Sequence, residues 1–317
     1  MVNVNIDSTV TSTKKNIDYI EAICEQEYSK YIGNNVMGCY FGNAVYFNTR
    51  EAGASGGTVT AIAQAHLLLN YKNIALLQDG NEYRLYNQTD ILKLPQGSYY
   101  GNREFGLPMH QINGNVLIVC LPCQVRYYRH LLPEATIIGL FCSHRIKPEG
   151  LRLLTNNQPY ICRYKYNRQT GLLYNNIFIS SDIYWSKLFN FCYIPEDCFF
   201  CKDMTAEKAD ISIGDAHRHI DFSLGKNSII TRTEKGEILL QNAIELGLLE
   251  ATETNPFRLI NTQSYLPVKK GSTAPKIRIY KLLRNIGCYM SNHKAFGLVM
   301  KLWIKYIQSK GVKIVNG

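Results

Sequence analysis

The chain of 317 residues is 46% hydrophobic, which is enough apolar material for one large domain or two smaller ones with a buried core. Its ten cysteines do not indicate a disulfide scaffold, because such scaffolds are short secreted chains and the N-terminus here shows no apolar signal segment. No apolar run approaches the roughly 20 residues that a membrane span requires. We therefore expect a cytoplasmic protein with reduced thiols.

The net charge of +10 is unevenly distributed. From Pro256 to the end of the chain there are twelve Lys and Arg residues and no Asp or Glu. The remainder of the chain is close to neutral. The positive charge therefore belongs to the C-terminal segment, and a function of that charge has to be sought there.

The first predicted element is an amphipathic helix. Apolar residues recur at spacings of three and four from Ile17 to Tyr31, as on one face of an α-helix. Gly38, Gly42 and Asn43 then interrupt the pattern, and we predict the first strand from Ala44 to Phe47.

A loop of small residues, Arg50 to Gly57, precedes a predicted helix from Thr58 to Leu69. Glycines let a backbone approach a ligand closely, and the start of a helix offers unpaired amides to a phosphate. The same pattern also occurs in plain tight turns, and it lacks the GxGxxG of a Rossmann site, so both interpretations stay open. The residues with this candidate role are Gly53, Ser55, Gly56, Gly57 and Thr58.

Strands and cysteine-bearing loops alternate in the next part of the chain. We predict strands at Ile74 to Gln78, Tyr83 to Tyr86, Val116 to Val119, Ile137 to Phe141, Ile211 to Ile213 and Ile229 to Thr231. Cys120-Leu-Pro-Cys123 and Cys142-Ser-His144 follow two of these strands, and sites in α/β folds lie at such strand ends. A hairpin signal at Asn167 to Gly171, between predicted strands at Tyr160 to Tyr166 and Leu172 to Ile179, adds antiparallel structure. The prediction is an α/β fold with a mixed, mainly parallel sheet, flanking helices, a hairpin insertion and a helical C-terminal tail.

Two further loops carry candidate site residues. In Gln96 to Gly101, aromatic residues flanked by glycines can lie against a flat ring or fold back on the core. The loop Cys198-Phe-Phe-Cys201 presents two sulfurs to one point, a ligand pattern of zinc and iron–sulfur sites.

Six motifs follow one another along the chain: REAGASGGTVTAI, QGSYYG, VLIVCLPCQV, GLFCSH, CFFCKDMTAEKADISIGD and GKNSIITRTEKG. In this order they resemble the beta subunit family of coenzyme F420 hydrogenases and dehydrogenases, which are iron–sulfur flavoproteins. The resemblance implies an iron–sulfur/flavin domain at residues 36–250, between an N-terminal extension with a helix (1–35) and a basic helical tail (251–317). It also implies one 4Fe-4S cluster, an FAD, and electron transfer between the cluster and a two-electron carrier or substrate.

The resemblance also implies roles for particular residues. Asp215 is expected to accept a hydrogen bond from a flavin hydroxyl group. His217 and His219 stand where the family often has an aromatic residue, and either is a candidate proton donor to reduced flavin or substrate. The cluster ligands implied are Cys123, Cys142, Cys198 and Cys201, and the flavin pocket implied combines the glycine loop with Gly97, Ser98 and Tyr99. Cys120 and Cys192 leave the ligand set open, and a structural zinc bound by Cys120, Cys123, Cys198 and Cys201 is the alternative.

The function implied is that of an FAD- and iron–sulfur-dependent oxidoreductase. Its substrate is expected to be a coenzyme F420-type deazaflavin or another small molecule, such as an intermediate of exopolysaccharide metabolism. The ferredoxin-like segment that many family members carry at the N-terminus is missing from this sequence, so we expect a separate electron donor such as a ferredoxin. A metal-stabilised binding or scaffold protein without redox turnover is the alternative.

The tail carries two basic amphipathic segments, Lys276 to Cys288 and Lys294 to Ile307. We predict that it docks an acidic redox donor, since complementary charge speeds transient encounters. No nucleic-acid-binding motif accompanies the charge. The apolar stripe of the second segment also fits peripheral membrane contact, or packing on the protein's own core.

Overall fold

The computed structural model describes residues 28–79, 82–95, 112, 115–166, 169–180, 193–216 and 225–263, and the isolated positions 282, 302, 305 and 313–314. These residues form two β-sheets with helices packed on them. None of the helices in this part is both long and apolar enough to cross a membrane.

The strands fall into an eight-stranded main sheet and a four-stranded second sheet. In chain order they are β1 (Gly38–Ala44), β2 (Ile74–Asp79), β3 (Glu82–Tyr86), β4 (Val116–Cys120), β5 (Thr136–Leu140), β6 (Ile161–Tyr166), β7 (Gln169–Tyr174), β8 (Ile177–Ser180), β9 (Ile211–Asp215), β10 (Asn227–Thr231), β11 (Leu249–Glu253) and β12 (Lys313–Ile314). The main sheet has the order β11-β1-β10-β9-β5-β4-β2-β3, and the second sheet has the order β12-β8-β7-β6.

Five strands of the main sheet point in the same direction. β2, β4, β5 and β9 are parallel neighbours. β10 is antiparallel to both β9 and β1, so β1 also points the same way as β9. The carboxyl ends of these five strands meet at one edge of the sheet, called the carboxyl edge below.

Helices cover both faces of the main sheet. They are α1 (Phe47–Ala52), α2 (Thr58–Leu69), α3 (Pro122–Leu131), α4 (Pro148–Leu154), α5 (Glu196–Phe200), α6 (Glu234–Glu245) and α7 (Pro256–Asn261), with a 3-10 helix at Gln88–Lys93. Buried residues of α2 and α6 share one apolar cluster with the sheet. Val125 and Tyr128 of α3 belong to a different cluster with Ile118 and Ile137. Strands covered on both faces read as unbroken apolar runs, as β4 and β5 do in the sequence.

The predicted fold class is confirmed: the main sheet is mixed and mostly parallel, and helices flank it. The hairpin insertion is also present, but the segment predicted as one strand from Leu172 to Ile179 is two strands, β7 and β8. Asn175 and Asn176 both have positive φ, 45° and 61°, and form the two-residue turn between them. Asparagine tolerates this left-handed backbone better than most residues.

The first predicted strand was wrong in position. The strand is Gly38–Ala44, and Phe47 begins the short helix α1. Gly38 and Gly42 read as strand breakers, yet β1 is flanked by β10 and β11 on its two edges. A Cβ atom on Gly42 would lie 2.8 Å from the Glu250 carbonyl oxygen and from Ile229 Cδ1, so close strand packing requires glycine there.

The chain after residue 250 begins as part of the main body. β11 continues to Glu253 and pairs with β1. Leu259 and Ile260 of α7 are buried in an apolar cluster with Ile32 and Met204. The sheet therefore runs past the limit set at residue 250, although the domain limits themselves stay predictions. Most of the basic tail lies outside the described residues. Most of the predicted N-terminal helix does so too, and where the described part begins, residues 28–32 are helical.

Candidate functional site

The four cysteines named as cluster ligands line one pocket at the carboxyl edge. Cys123 follows β4, Cys142 follows β5, and Cys198 and Cys201 come from the loop that precedes β9. The pocket holds about 50 Å³, which is room for a few water molecules. The other residues that line it are Leu121, Pro122, Arg145, Pro195, Asp197 and Asp203.

Cys123 stands in the first turn of α3. Pro122, which has no N–H group, begins this helix. The Gln124 side-chain oxygen accepts a hydrogen bond from the Leu121 amide at 2.9 Å, and the Gln124 amide donates to the Leu121 carbonyl at 2.8 Å. The Cys123 side chain is exposed. The start of a helix favours negative charge, so this position suits a thiolate.

Cys142 is held by its backbone. The Phe141 amide donates to the Ile213 carbonyl at 2.7 Å, and the Cys142 amide donates to the Met204 carbonyl at 2.8 Å. The first bond extends the pairing of β5 with β9 by one step. The second joins Cys142 to the loop that carries Cys198 and Cys201.

The C-x-x-C loop is folded by the short helix α5. The Cys198 amide donates to the Pro195 carbonyl at 3.1 Å, and the Cys201 amide donates to the Asp197 carbonyl at 3.0 Å. The Cys201 thiol donates to the Asp203 carbonyl at 3.3 Å. The Asp203 carboxylate accepts hydrogen bonds from the Thr205 amide (3.1 Å) and from the Glu207 amide (3.1 Å and 3.2 Å). Backbone hydrogen bonds thus hold the two thiols at the same pocket.

The donor set fits an iron–sulfur cluster. Among the described residues, no three His, Cys, Asp or Glu side chains converge closely enough to bind a single metal ion. Each thiolate of a 4Fe-4S cluster binds a different iron atom, so its four ligands surround a volume and do not meet at one point. Four thiols around one pocket match this requirement in number and kind.

Cys120 does not share the pocket. It is the last residue of β4, is fully buried, and packs with Val125 and Tyr128 on an apolar cluster. Burial raises the pKa of the Cys120 thiol, and the thiol does not line the pocket of the other cysteines. The alternative zinc site of Cys120, Cys123, Cys198 and Cys201 therefore loses one of its four ligands. Cys24, Cys192, Cys288 and the side chain of Cys162 lie outside the described residues.

The glycine loop, residues 53–58, also lies at the carboxyl edge, but its polar groups already have protein partners. The amides of Gly56 and Thr58 donate to Asn227 Oδ1 at 3.0 Å and 3.4 Å. The Ser55 hydroxyl donates to the Lys226 carbonyl at 2.6 Å. A Cβ atom on Gly56 would lie 2.7 Å from Asn227 Oδ1. The glycine is thus required by the contact with Asn227, and these two amides are open to a diphosphate only if Asn227 releases them.

Asn227 was not found by sequence reasoning, and it brings two predicted parts of the flavin pocket together. Its Nδ2 atom donates to the Gly214 carbonyl at 3.2 Å, and Asn227 pairs in register with Asp215. The glycine loop is therefore adjacent to the end of β9, where Asp215 lies half-buried. An Asn in the motif GKNSII could have drawn attention, because buried asparagines need both a donor and an acceptor partner.

Arg232 is a second residue that sequence reasoning missed. Its guanidinium group is buried and donates to the carbonyls of Ile32 (2.8 Å), Asn35 (3.1 Å) and Thr205 (3.1 Å). It also donates to the hydroxyls of Thr205 (3.0 Å) and Ser212 (2.6 Å). Arg232 thus anchors the stretch that follows Asp203 against β9.

Several predicted site residues lie outside the described part of the chain. These are Gly97, Ser98 and Tyr99, the proton-donor candidates His217 and His219, and nearly all of the basic tail. Their roles stay predictions.

Comparisons with known proteins agree with the motif order. Residues 113–256 match a family model that describes the C-terminal part of the coenzyme F420 hydrogenase/dehydrogenase beta subunit. Over 146 residues the chain is 30% identical to the coenzyme F420 hydrogenase subunit beta of Methanococcus voltae, which covers 42% of this chain and 50% of that protein. Over 233 residues it is 28% identical to the coenzyme F420-dependent sulfite reductase of Methanocaldococcus jannaschii, which covers 63% of this chain and 36% of that protein.

These matches span half or less of the length of the two curated relatives. A chain in a xenon-derivatised structure of the F420-reducing [NiFe] hydrogenase complex from Methanosarcina barkeri superposes with a TM-score of 0.54 at 15% identity, covering 89% of this chain and 97% of that one. Likeness at that identity shows the fold alone. The family match includes α3, Cys142, the C-x-x-C loop, β9 and β10. Residues 113–256 of this chain are thus similar to the C-terminal part of coenzyme F420 hydrogenase/dehydrogenase beta subunits.

Proposed function

We propose that this protein is an iron–sulfur flavoprotein oxidoreductase that passes electrons between a 4Fe-4S cluster and a two-electron carrier or substrate at an FAD. The observation that carries the proposal is the pocket in which Cys123, Cys142, Cys198 and Cys201 meet. A cluster bound there would supply single-electron transfer. The chain's own share is to hold four thiolates and to set the polarity around them.

The polarity of the cysteine pocket combines both signs of charge. Arg145 lines it on the positive side, and Asp197 and Asp203 line it on the negative side. Hydrogen bonds to the sulfur atoms and nearby charges tune the potential of a cluster. The Cys201 thiol donates to the Asp203 carbonyl; a cluster-bound thiolate would lose this bond, so Asp203 would act on the cluster through the charge of its carboxylate.

The proposed flavin site lies beside the cysteine pocket at the carboxyl edge. β9 is one strand spacing, about 5 Å, from β5 and two spacings, about 10 Å, from β4. We assign the site to the glycine loop and Asp215, with Gly97, Ser98, Tyr99 and His217 as further candidates. Because Gly56 and Thr58 donate to Asn227, we expect the loop to contribute close backbone packing, while other residues bind the diphosphate.

The curated relatives are named for coenzyme F420, and one solved relative belongs to a hydrogenase complex. We propose a deazaflavin or another small two-electron carrier as the substrate, and a partner protein, such as a ferredoxin, as the source or acceptor of single electrons. The basic tail is the proposed docking segment for an acidic donor.

The test is anaerobic purification and reconstitution with iron and sulfide, followed by assays of iron, zinc and flavin. We expect about four iron atoms per chain and a bound FAD. Cys198→Ser should lose the cluster, because an alcohol is a poor ligand for iron. Cys120→Ala, which removes a thiol outside the pocket, should keep it.

One zinc per chain without iron would overturn the redox proposal and support the metal-stabilised scaffold. Iron in the wild type without flavin would keep the cluster and remove the proposed flavin chemistry.

A further inference from the structure

Asn227 is the connection between the two halves of the proposed redox site. Its side chain is buried, at 7% exposure, and both polar atoms have partners. Oδ1 accepts from the amides of Gly56 and Thr58, and Nδ2 donates to the Gly214 carbonyl. Only a carboxamide offers an acceptor and a donor in this geometry at neutral pH.

Other bonds join the same two segments. The Ser55 hydroxyl donates to the Lys226 carbonyl at 2.6 Å, and Arg50 Nε donates to the Gly225 carbonyl at 3.3 Å. The helix α1, the glycine loop and the start of α2 are thus tied to the segment that enters β10. Asn227 is the member of this set that also reaches β9.

The connection continues from β9 to the cysteine pocket. A Cβ atom on Gly214 would lie 2.1 Å from Phe141 Cδ2, so the Phe141 ring packs directly against this glycine. Phe141 immediately precedes Cys142, and its amide donates to the Ile213 carbonyl at 2.7 Å. Neighbouring contacts therefore lead from Gly56 through Asn227, Gly214 and Phe141 to a pocket cysteine.

We propose that Asn227 is a positioning residue that fixes the glycine loop to the end of β9 and so sets the separation between the cysteine pocket and the proposed flavin site. This inference rests on the proposed function for its role in electron transfer, but the link itself does not. Without the Asn227 side chain, the amides of Gly56 and Thr58 lose their acceptor and the Gly214 carbonyl loses its donor, so the loop detaches from β9.

The test compares Asn227→Ala and Asn227→Asp with Asn73→Ala. Asn73 is equally buried, donates to the His66 carbonyl, and lies just beyond the other end of α2. Hydrogen exchange is measured at the amides of Gly56 and Thr58, together with iron content and FAD affinity. We expect exchange to rise about tenfold in Asn227→Ala at pH 7.5 and to stay near wild type in Asn73→Ala. In Asn227→Asp the carboxylate still accepts from both amides but repels the Gly214 carbonyl, so we expect a smaller rise there.

Acidification separates positioning from a general loss of stability. A protonated Asp offers one acceptor and one O–H donor, so Asn227→Asp should recover protection at pH 5 relative to wild type at the same pH. Asn227→Ala should not recover. The charged neighbours Arg50, Asp215 and Lys226 are the same in both variants.

FAD affinity should follow the exchange results, while iron content stays unchanged in all three variants. Exchange at Gly56 and Thr58 that is the same in wild type and Asn227→Ala would overturn the proposal. So would recovery of Asn227→Ala at pH 5. Absence of flavin from the wild type would reject the proposed function, and the exchange measurements would still decide the link. If Asn227→Ala does not fold, the pH response of Asn227→Asp decides alone.

Discussion

The cysteine pocket and the glycine loop lie at the same edge of the main sheet, but they use their backbones in opposite ways. In the pocket, backbone amides bind neighbouring carbonyls, and the side chains are left facing a cavity. In the glycine loop, the amides of Gly56 and Thr58 are directed inward to a buried side chain, Asn227. The cysteine pocket thus exposes reactive side chains to a cavity, whereas the glycine loop stabilises the fold.

This difference shows what each motif can reveal. A cysteine carries its chemistry in its side chain, so thiols at loop positions predict a metal or cluster site even where the exact ligands stay open. A glycine carries only the absence of a side chain, which serves a bound ligand and a packed neighbour equally well. In this structure Gly56 packs against neighbouring protein groups, the Asn227 side chain and the Gly42 carbonyl.

The largest effect is expected from Arg232→Met. Arg232 anchors the stretch after the cysteine loop through hydrogen bonds to four residues, and burial lowers the pKa of its guanidinium group to about 10. Removing it leaves buried carbonyls without a donor. We expect the free energy of unfolding, measured in urea, to fall by about 3–5 kcal/mol.

Arg152→Met is the matched control for Arg232→Met. Arg152 is exposed on α4 and lies 3.7 Å from Glu149, an exposed ion pair whose loss should cost less than about 1 kcal/mol. Equal costs for the two variants would mean that Arg232 does not hold the pocket. The explanation that a fixed backbone holds the cysteine side chains at the pocket would then be wrong.

Gly56→Ala tests whether the glycine loop serves packing within the protein. Its Cβ atom would lie 2.7 Å from Asn227 Oδ1 and 3.0 Å from the Gly42 carbonyl. We expect the free energy of unfolding of the flavin-free protein to fall by about 1–3 kcal/mol. A loss seen only in flavin affinity, with stability unchanged, would instead restore the ligand interpretation of the loop.

A double-mutant cycle sharpens the Gly56 test. In the Asn227→Ala background the nearest clashing atom is gone, so Gly56→Ala should cost less there by at least about 0.5 kcal/mol. Gly247→Ala provides the contrast, because Gly247 has a φ of 68° and a Cβ atom there meets nothing within 4 Å. Its cost comes from backbone strain alone and should be the same in both backgrounds.

The fold was largely predictable because its signals are local and repeated. Apolar runs bounded by loops gave β2, β4 and β5 nearly as they are, and α2 matched its predicted ends, Thr58 and Leu69. The misplaced β1 shows the limit. Gly42 reads as a breaker until its neighbour β11 is known, and that pairing joins residues about 200 positions apart along the chain.

The sequence predicted the cysteines of the candidate site but not the residues that hold the surrounding backbone in place. Cys123, Cys142, Cys198 and Cys201 were named from motif order, and the structure brings them to one pocket. Asn227 and Arg232 act only through partners distant in sequence, and no local pattern names those partners. Cys120 forms a second C-x-x-C pattern in the sequence. In the structure it is the last residue of a fully buried strand and lies outside the pocket.

The last prediction tests by pH whether Cys39 is a core thiol. Cys39 is buried, and burial, with Glu253 adding to it and Arg232 opposing it, raises the pKa of its thiol from 9.0 to about 12. Between these values the unfolded chain loses the proton while the folded chain keeps it. The stability that the neutral thiol contributes is therefore complete below pH 9 and is lost as the pH rises to 12, by at most about 1.4 kcal/mol per pH unit. Cys39→Ala should make the fall in unfolding free energy between pH 9 and pH 11 shallower than in wild type. Equal slopes in wild type and variant would mean that Cys39 titrates as an exposed thiol and does not belong to the core.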